Sequence, residues 1–318
     1  MRLEVIARPS PLRLIGFPAI ALGLTVLFGS SLALLAGANP FQTLGLILRG
    51  AAGSQFALLE TLNRATPLIF TGLAVAVAFR AKLWNIGAEA QLYAGALVLL
   101  GPALLKTRLG VDEVVTTLLF NFIMLLFISM LLEGPLKDPM GMGWPQSSRL
   151  VPEARLPRIV EGLRLHWGFG LALIAAVVVW VIQSRTTLGY EMRAVGQNKQ
   201  AAEFAGIPVG RVIVKTALLS GGLAALGGFS EVAGLRGNLT LDLSPGFGYT
   251  GIIVAMLALL NPIGVVISAI FVAGVFVGAD SMSRAAGVPT YIANIMLATA
   301  LLTMVLAIAL TRFRVRWD

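Results

Sequence analysis

The sequence predicts an all-α, polytopic transmembrane helical bundle, and three observations carry that prediction. Hydrophobic residues fill 57% of the 318 positions and charged residues 12%, against roughly a quarter charged in an ordinary soluble domain. The apolar residues run continuously instead of alternating, which suits helices that satisfy their own backbone in hydrocarbon and not the strands of a barrel. The 24 Lys and Arg gather at the two termini and in a few loops, as in segments retained on the cytoplasmic side of a membrane.

Taken in order, the first apolar run, 12–36, is about a full span long and exceeds the roughly 7–15 residues of a secretory signal core, so it reads as a retained helix behind Arg2, Arg8 and Arg13. Further spans are expected at 65–83, 113–133, 167–184, 209–234, 247–260, 262–280 and 290–311, with a short candidate at 90–105, giving 8–10 spans. Pro67, Pro245, Pro262 and Pro289 fall near segment starts, where a missing amide proton costs little. Gly221, Gly222, Gly227 and Gly228 put small residues on one helix, which allows close helix packing.

The chain thus reads as a single transmembrane domain over 1–318. Its central polar loop, 185–211, carries Arg185, Arg193, Lys199 and Arg211, and Arg312, Arg314 and Arg316 end the chain. Both termini and that loop are expected in the cytoplasm. Loop 134–166 then falls outside, despite Lys137, Arg149, Arg155, Arg158 and Arg164. A full crossing at 90–105 would break this count, and about 15 residues at 1.5 Å rise fall short of a hydrocarbon core of roughly 30 Å. Either a helix is missing between Leu100 and Lys106, with the chain broken near Gly101, or a half-helix enters and leaves on the cytoplasmic face. The first is the reading preferred.

A formal charge of +9 would raise the question of nucleic acid, but the basic residues follow the loops and form no patch interleaved with aromatics. There are no cysteines and a single His166, read beside Trp167 as an interfacial residue and not a metal ligand. No P-loop, nucleophile elbow or His-Glu-x-x-His run occurs, so an enzyme is not expected. Intramembrane polar residues mark pathways, and Asn85, Glu89 and Gln91 in WNIGAEAQ, with Asn121 and Asn294, are the candidates. A hydrated interface is the alternative for the first three, helix–helix glue for the two asparagines. Between 186 and 211 a short amphipathic helix is expected, with Ala201, Phe204, Ala205 and Ile207 on one face, Gln200 and Glu203 on another, and Gly206 with Pro208 as its stop. It reads as an interfacial helix or as a docking element for a cytoplasmic partner. A faint internal echo relates TGLAVAVA at 71–78 to TGIIVAML at 250–257.

The order RATPLIFTGLAVAVAFRAKLWNIGAEAQLY, TRLGVDEVV, GPLKDP, TTLGYEMRAVGQNKQAAEFAGI, SPGFGYTGIIVAML and RAAGVP resembles the permeases of bacterial ABC nucleoside and simple-sugar importers, within the branched-chain amino acid and ribose permease group. The resemblance implies a type II importer core in the bacterial cytoplasmic membrane. Two related permeases, as a homo- or heterodimer, would form one pathway with a cytoplasmic ABC ATPase and an external substrate-binding lipoprotein. ATP-Mg would bind the ATPase, no cofactor this chain. The helix of Gln197, Asn198, Ala201, Ala202, Phe204, Ala205, Gly206 and Ile207 would be the coupling helix seated on the ATPase. Nucleosides are the substrate it favours; the alternative is an ion-gradient-driven secondary transporter with Glu89, Asp280 or Glu231 as the proton carrier. Two departures stand out: Ala90 replaces a usual glycine, and some thirty to forty mostly apolar residues are missing between QLYAGAL and LLKTRLG.

Overall fold

Proline, glycine and short polar caps divide the chain into twelve α-helices among the described residues. The computed structural model describes residues 2–5, 11–287, 289–292, 295, 298–299, 302–303, 306–307 and 313–316. These fall into two compact units, one of residues 1–61 with 272–318 and one of residues 62–271.

In the first unit, α1 (Pro11–Leu35) and α2 (Pro40–Ala52) meet at a bend of 113°. Asn39 makes the bend: its side chain accepts from Phe41 N at 3.0 Å, and Pro40 occupies the first helical position, where no amide proton is needed. Nothing in the sequence marks α2 as a span, because its 13 residues include Gln42 and Arg49. Close packing explains it instead. A Cβ on Gly278 would lie 2.3 Å from Ile47 O, so α2 presses directly on α12 (Pro262–Ala286), beside a cluster of Ile47, Met282 and Ile292. Two four-residue strands, β1 (Arg2–Val5) and β2 (Phe313–Arg316), pair antiparallel. This small ribbon was not anticipated in an otherwise helical chain.

In the second unit, α3 (Gln55–Arg80, of which residues from Leu62 belong here) is wrapped on all sides: every described residue from Leu68 to Ala78 is buried. A helix apolar all round is a core helix. The expected start at 65 is corrected, since α3 begins at Gln55 and Pro67 lies in its interior. The polar Asn63 and Thr66 continue the helix because protein, not lipid, surrounds them. The two segments of the internal echo pack on each other. A Cβ at Gly72 would meet Val254 and one at Gly251 would meet Thr71, so each Thr-Gly pair seats the opposite helix, α11 (Phe247–Leu257).

The short candidate at 90–105 resolves into α4 (Ala88–Ala94) and α5 (Ala96–Leu109), joined by Gly95 at φ 78°, ψ −159°. The chain is continuous through Gly101, so the break expected there is corrected. Lys106 Nζ donates to Lys82 O at 3.1 Å, which brings the end of α5 back to the end of α3. The segment therefore enters and leaves at one end of the bundle. Both α4 and α5 lean on α10 (Val209–Ser230), where a Cβ on Gly228 would collide with Leu92 O at 1.8 Å. Helix α10 runs into a π-helical turn, Glu231–Arg236.

Outward lie α6 (Glu113–Glu133) and α7 (Gly168–Arg185), which leave most of their apolar surface exposed. Loop 134–166 is ordered by the chain beyond the π turn: Ser147 N donates to Leu239 O, Leu150 N to Gly237 O and Leu156 N to Ala233 O. Helices α3, α6, α7, α12 and α10 with its π turn are each long and apolar enough to cross a bilayer, and the bent α1–α2 pair makes a sixth if taken as one span. The last expected span, 290–311, falls mostly outside the described residues.

Candidate translocation and coupling sites

The polar residues of WNIGAEAQ converge where α4 meets the start of α11. Asn85 and Gln91 pair by reciprocal amide hydrogen bonds of 2.9 and 2.8 Å, and Asn85 Nδ2 also reaches Ser220 Oγ on α10 at 3.1 Å. Ser220 in turn donates to Ala74 O on α3. Glu89 accepts from Gly246 N at 3.2 Å and Gly248 N at 2.6 Å, so its carboxylate caps the N-terminus of α11, where the helix dipole favours negative charge. That approach requires glycine, since a Cβ on Gly248 would lie 2.1 Å from Glu89 N. Tyr93 bridges α4 to the same turn, donating to Leu241 O and accepting from Ser244 N.

Asn121 closes the cluster from α6. Its Oδ1 accepts from Ala90 N, and its Nδ2 lies within hydrogen-bonding distance of Ile86 O and Tyr249 Oη. Asn85, Glu89, Gln91 and Asn121 are thus brought together, all at 6% exposure or less, with partners on α4, α10 and α11. Asn294 lies outside the described residues. His166 is also fully buried, not interfacial: its Nδ1 accepts from Gly168 N, and Gly234 leaves room for the ring. Burial lowers the pKa of its imidazole, because desolvation disfavours the charged form.

At the end of the bundle where α3 finishes, α8 (Thr187–Gln197) and α9 (Lys199–Phe204) form the polar loop. The single helix expected over 197–207 is six residues long. Asn198 caps it, accepting from Ala201 N at 3.1 Å, and Gly206 at φ 82° ends it. Ala202 alone is buried. Phe204 stands 97% exposed, and Gln197, Asn198, Ala201, Ala205 and Gly206 are exposed beside it, with Ile207 half-buried.

Comparison with known proteins decides the family. Residues 94–310 match the model of the permease component of the branched-chain amino acid transport system, which covers more than half of the chain. The chain belongs to that permease family. It is a multi-pass membrane protein and a permease subunit of an ABC importer, not an enzyme. The permease is 33% identical to a glucose ABC transporter permease protein of Haloferax volcanii, over 94% of this chain and 89% of that one. It is 33% identical to a guanosine ABC transporter permease protein of Bacillus subtilis, over 90% and 91%. A nucleoside ABC transporter permease protein of Lactococcus lactis is 29% identical over 88% of each chain. The first alignment occupies 340 positions on 94% of a 318-residue permease, so about 40 positions of the relative face gaps here.

Sequence reasoning missed Tyr249, Ser220, Tyr93 and Gly248 in this site. Tyr249 and Gly248 lie in SPGFGYTG, a run quoted only for its resemblance. The signal available was the closeness of three glycines and a tyrosine to a helix start.

Proposed function

We propose that this permease carries nucleosides inward, powered by a separate cytoplasmic ATPase that binds ATP-Mg and fed by an external binding protein, in the cytoplasmic membrane with both termini inside. A second related permease completes the pathway. The observation that carries the ATPase-driven reading is the tip of α9: an exposed Phe204 among small residues, on a helix capped at both ends, in a chain whose relatives are named as ABC transporter permeases. Small exposed side chains admit close docking, and a short rigid helix transmits displacement to α8 and α10. Asn85, Glu89, Gln91 and Asn121 flank the route at the α4–α11 junction, and Asn294 is assigned to it from sequence. The ion-gradient alternative is disfavoured because the Glu89 carboxylate is already engaged by two backbone amides of α11.

Replacing Ala205 with Glu is expected to abolish uptake of labelled guanosine while ATP hydrolysis by the assembled transporter persists. Normal ATP-driven uptake by that variant would remove α9 as the coupling element. Glucose is the second substrate reading, because a relative named for glucose is as similar as the one named for guanosine. Competition of labelled guanosine uptake by unlabelled guanosine and not by glucose is the outcome expected.

A further inference from the structure

Where α3, α7 and α8 meet, two guanidiniums border one small polar cavity. Its volume is about 140 Å³, and Arg80, Arg193, Gln183, Ser184, Asn261 and Trp180 line it. A single water needs about 10–15 Å³, so there is room for a polyatomic anion. Arg80 donates to Leu260 O at 3.1 Å and Arg193 to Gln183 O. Both acceptors are neutral carbonyls, and among the described residues neither arginine forms an ion pair. Two like charges that border one cavity without an acidic partner favour an anion between them.

Gln183 is the independent observation. The residue lines the cavity and is 2% exposed, and its side-chain Nε2 and Oε1 are both buried without a hydrogen-bond partner. Buried amides are ordinarily satisfied, so an orphaned one beside two arginines marks a place for an oxygen-rich ligand. The rim indicates the source of that ligand. Trp180 is 39% exposed, as suits an aromatic at the membrane–water boundary, and the outer surface of α7 continues from it as exposed Val177, Val181 and Ile174. A phosphate bound at the rim would place acyl chains along that apolar surface.

The geometry points to a binding site for the phosphate of an anionic phospholipid headgroup, held by Arg80, Arg193 and the Gln183 amide, in the leaflet nearest α8 and α9. It rests on the membrane embedding of the chain and not on the identity of the transported substrate. Because Arg193 belongs to α8, and a Cβ at Gly196 of the same helix would lie 2.1 Å from Arg80 O, the lipid ties the coupling elements to the end of α3.

Native mass spectrometry of the purified full-length permease, titrated with phosphatidylglycerol or phosphatidylcholine and with or without inorganic phosphate, tests this. Wild type should retain one phosphatidylglycerol at about tenfold lower lipid concentration than phosphatidylcholine, a preference that Arg193→Gln removes. Gln183→Leu keeps both charges and the volume of the side chain, and should weaken retention by a smaller factor, so the proposal stays testable should the arginine variant fail to fold. Equal retention of the two lipids by wild type, or unchanged retention in Gln183→Leu, overturns it. Occupancy by inorganic phosphate with no preference between lipids would identify a free-anion site and overturn the lipid assignment.

Discussion

A Cβ at Gly228 would lie 1.8 Å from Leu92 O, whereas one at Gly222, on the same helix, meets nothing within 4 Å. The two positions carry opposite expectations. Gly228→Ala should force α10 away from α4 and destabilise by about 1–3 kcal/mol, the ordinary range for overpacking. Gly222→Ala should be neutral or gain up to about 1 kcal/mol from helix propensity. Thermal unfolding of the two purified variants checks this, and equal shifts would contradict the contact. Sequence presented both glycines as members of one cluster; only the identity of the atom facing each separates them. The same limit applies at Asn121, whose polarity inside an apolar run was legible while its partners, Ala90 N, Ile86 O and Tyr249, lie 31, 35 and 128 residues away.

Among elements, the α4–α5 reversal depends on one residue. Gly95 sits at φ 78°, ψ −159°, a region essentially closed to side chains, and adopting it costs other residues of order 1–3 kcal/mol. A Cβ there would also come within 3.3 Å of Ala225. Gly95→Val is therefore expected to lower the midpoint of thermal unfolding and to expose Glu89 and Tyr93, read as faster backbone hydrogen exchange over 88–94 than in wild type. Unchanged exchange there would show that the reversal does not need glycine. The sequence placed a short element at 90–105 by length and charge counting, and it also placed α9 by its stop signals. It did not resolve the first into two helices, because the turn at Gly95 has no proline or polar cluster to announce it.

At the scale of the molecule, Lys82, Arg108 and Lys199 belong to the end of the bundle where α3 and α5 finish and α9 projects, and Arg149 belongs to the loop that docks on 233–240. The cysteine-free chain allows a direct test. Single cysteines replacing Lys82, Arg108 and Lys199 should react with a membrane-impermeant maleimide from one face, and a cysteine replacing Arg149 from the other. Labelling of the Lys82 and Arg108 positions from opposite faces would show a full crossing at 88–109 in place of a reversal.

By itself the sequence determined the class of the protein, since an apolar fraction of 57% in continuous runs leaves a helical membrane bundle as the state that satisfies both side chains and backbone. It also determined the family and the ends of helices that carry their own signals, such as Asn198 and Gly206 around α9. Only the tertiary structure decided that α3 is enclosed while α6 and α7 face outward, and that Glu89 caps α11. It also decided that Arg80 and Arg193 share a cavity with Gln183, whose side-chain amide is buried without a partner. Hydropathy reports the affinity of a segment for an apolar surrounding and not whether protein or lipid supplies it. Contacts between residues more than a hundred positions apart leave no local pattern from which to read them.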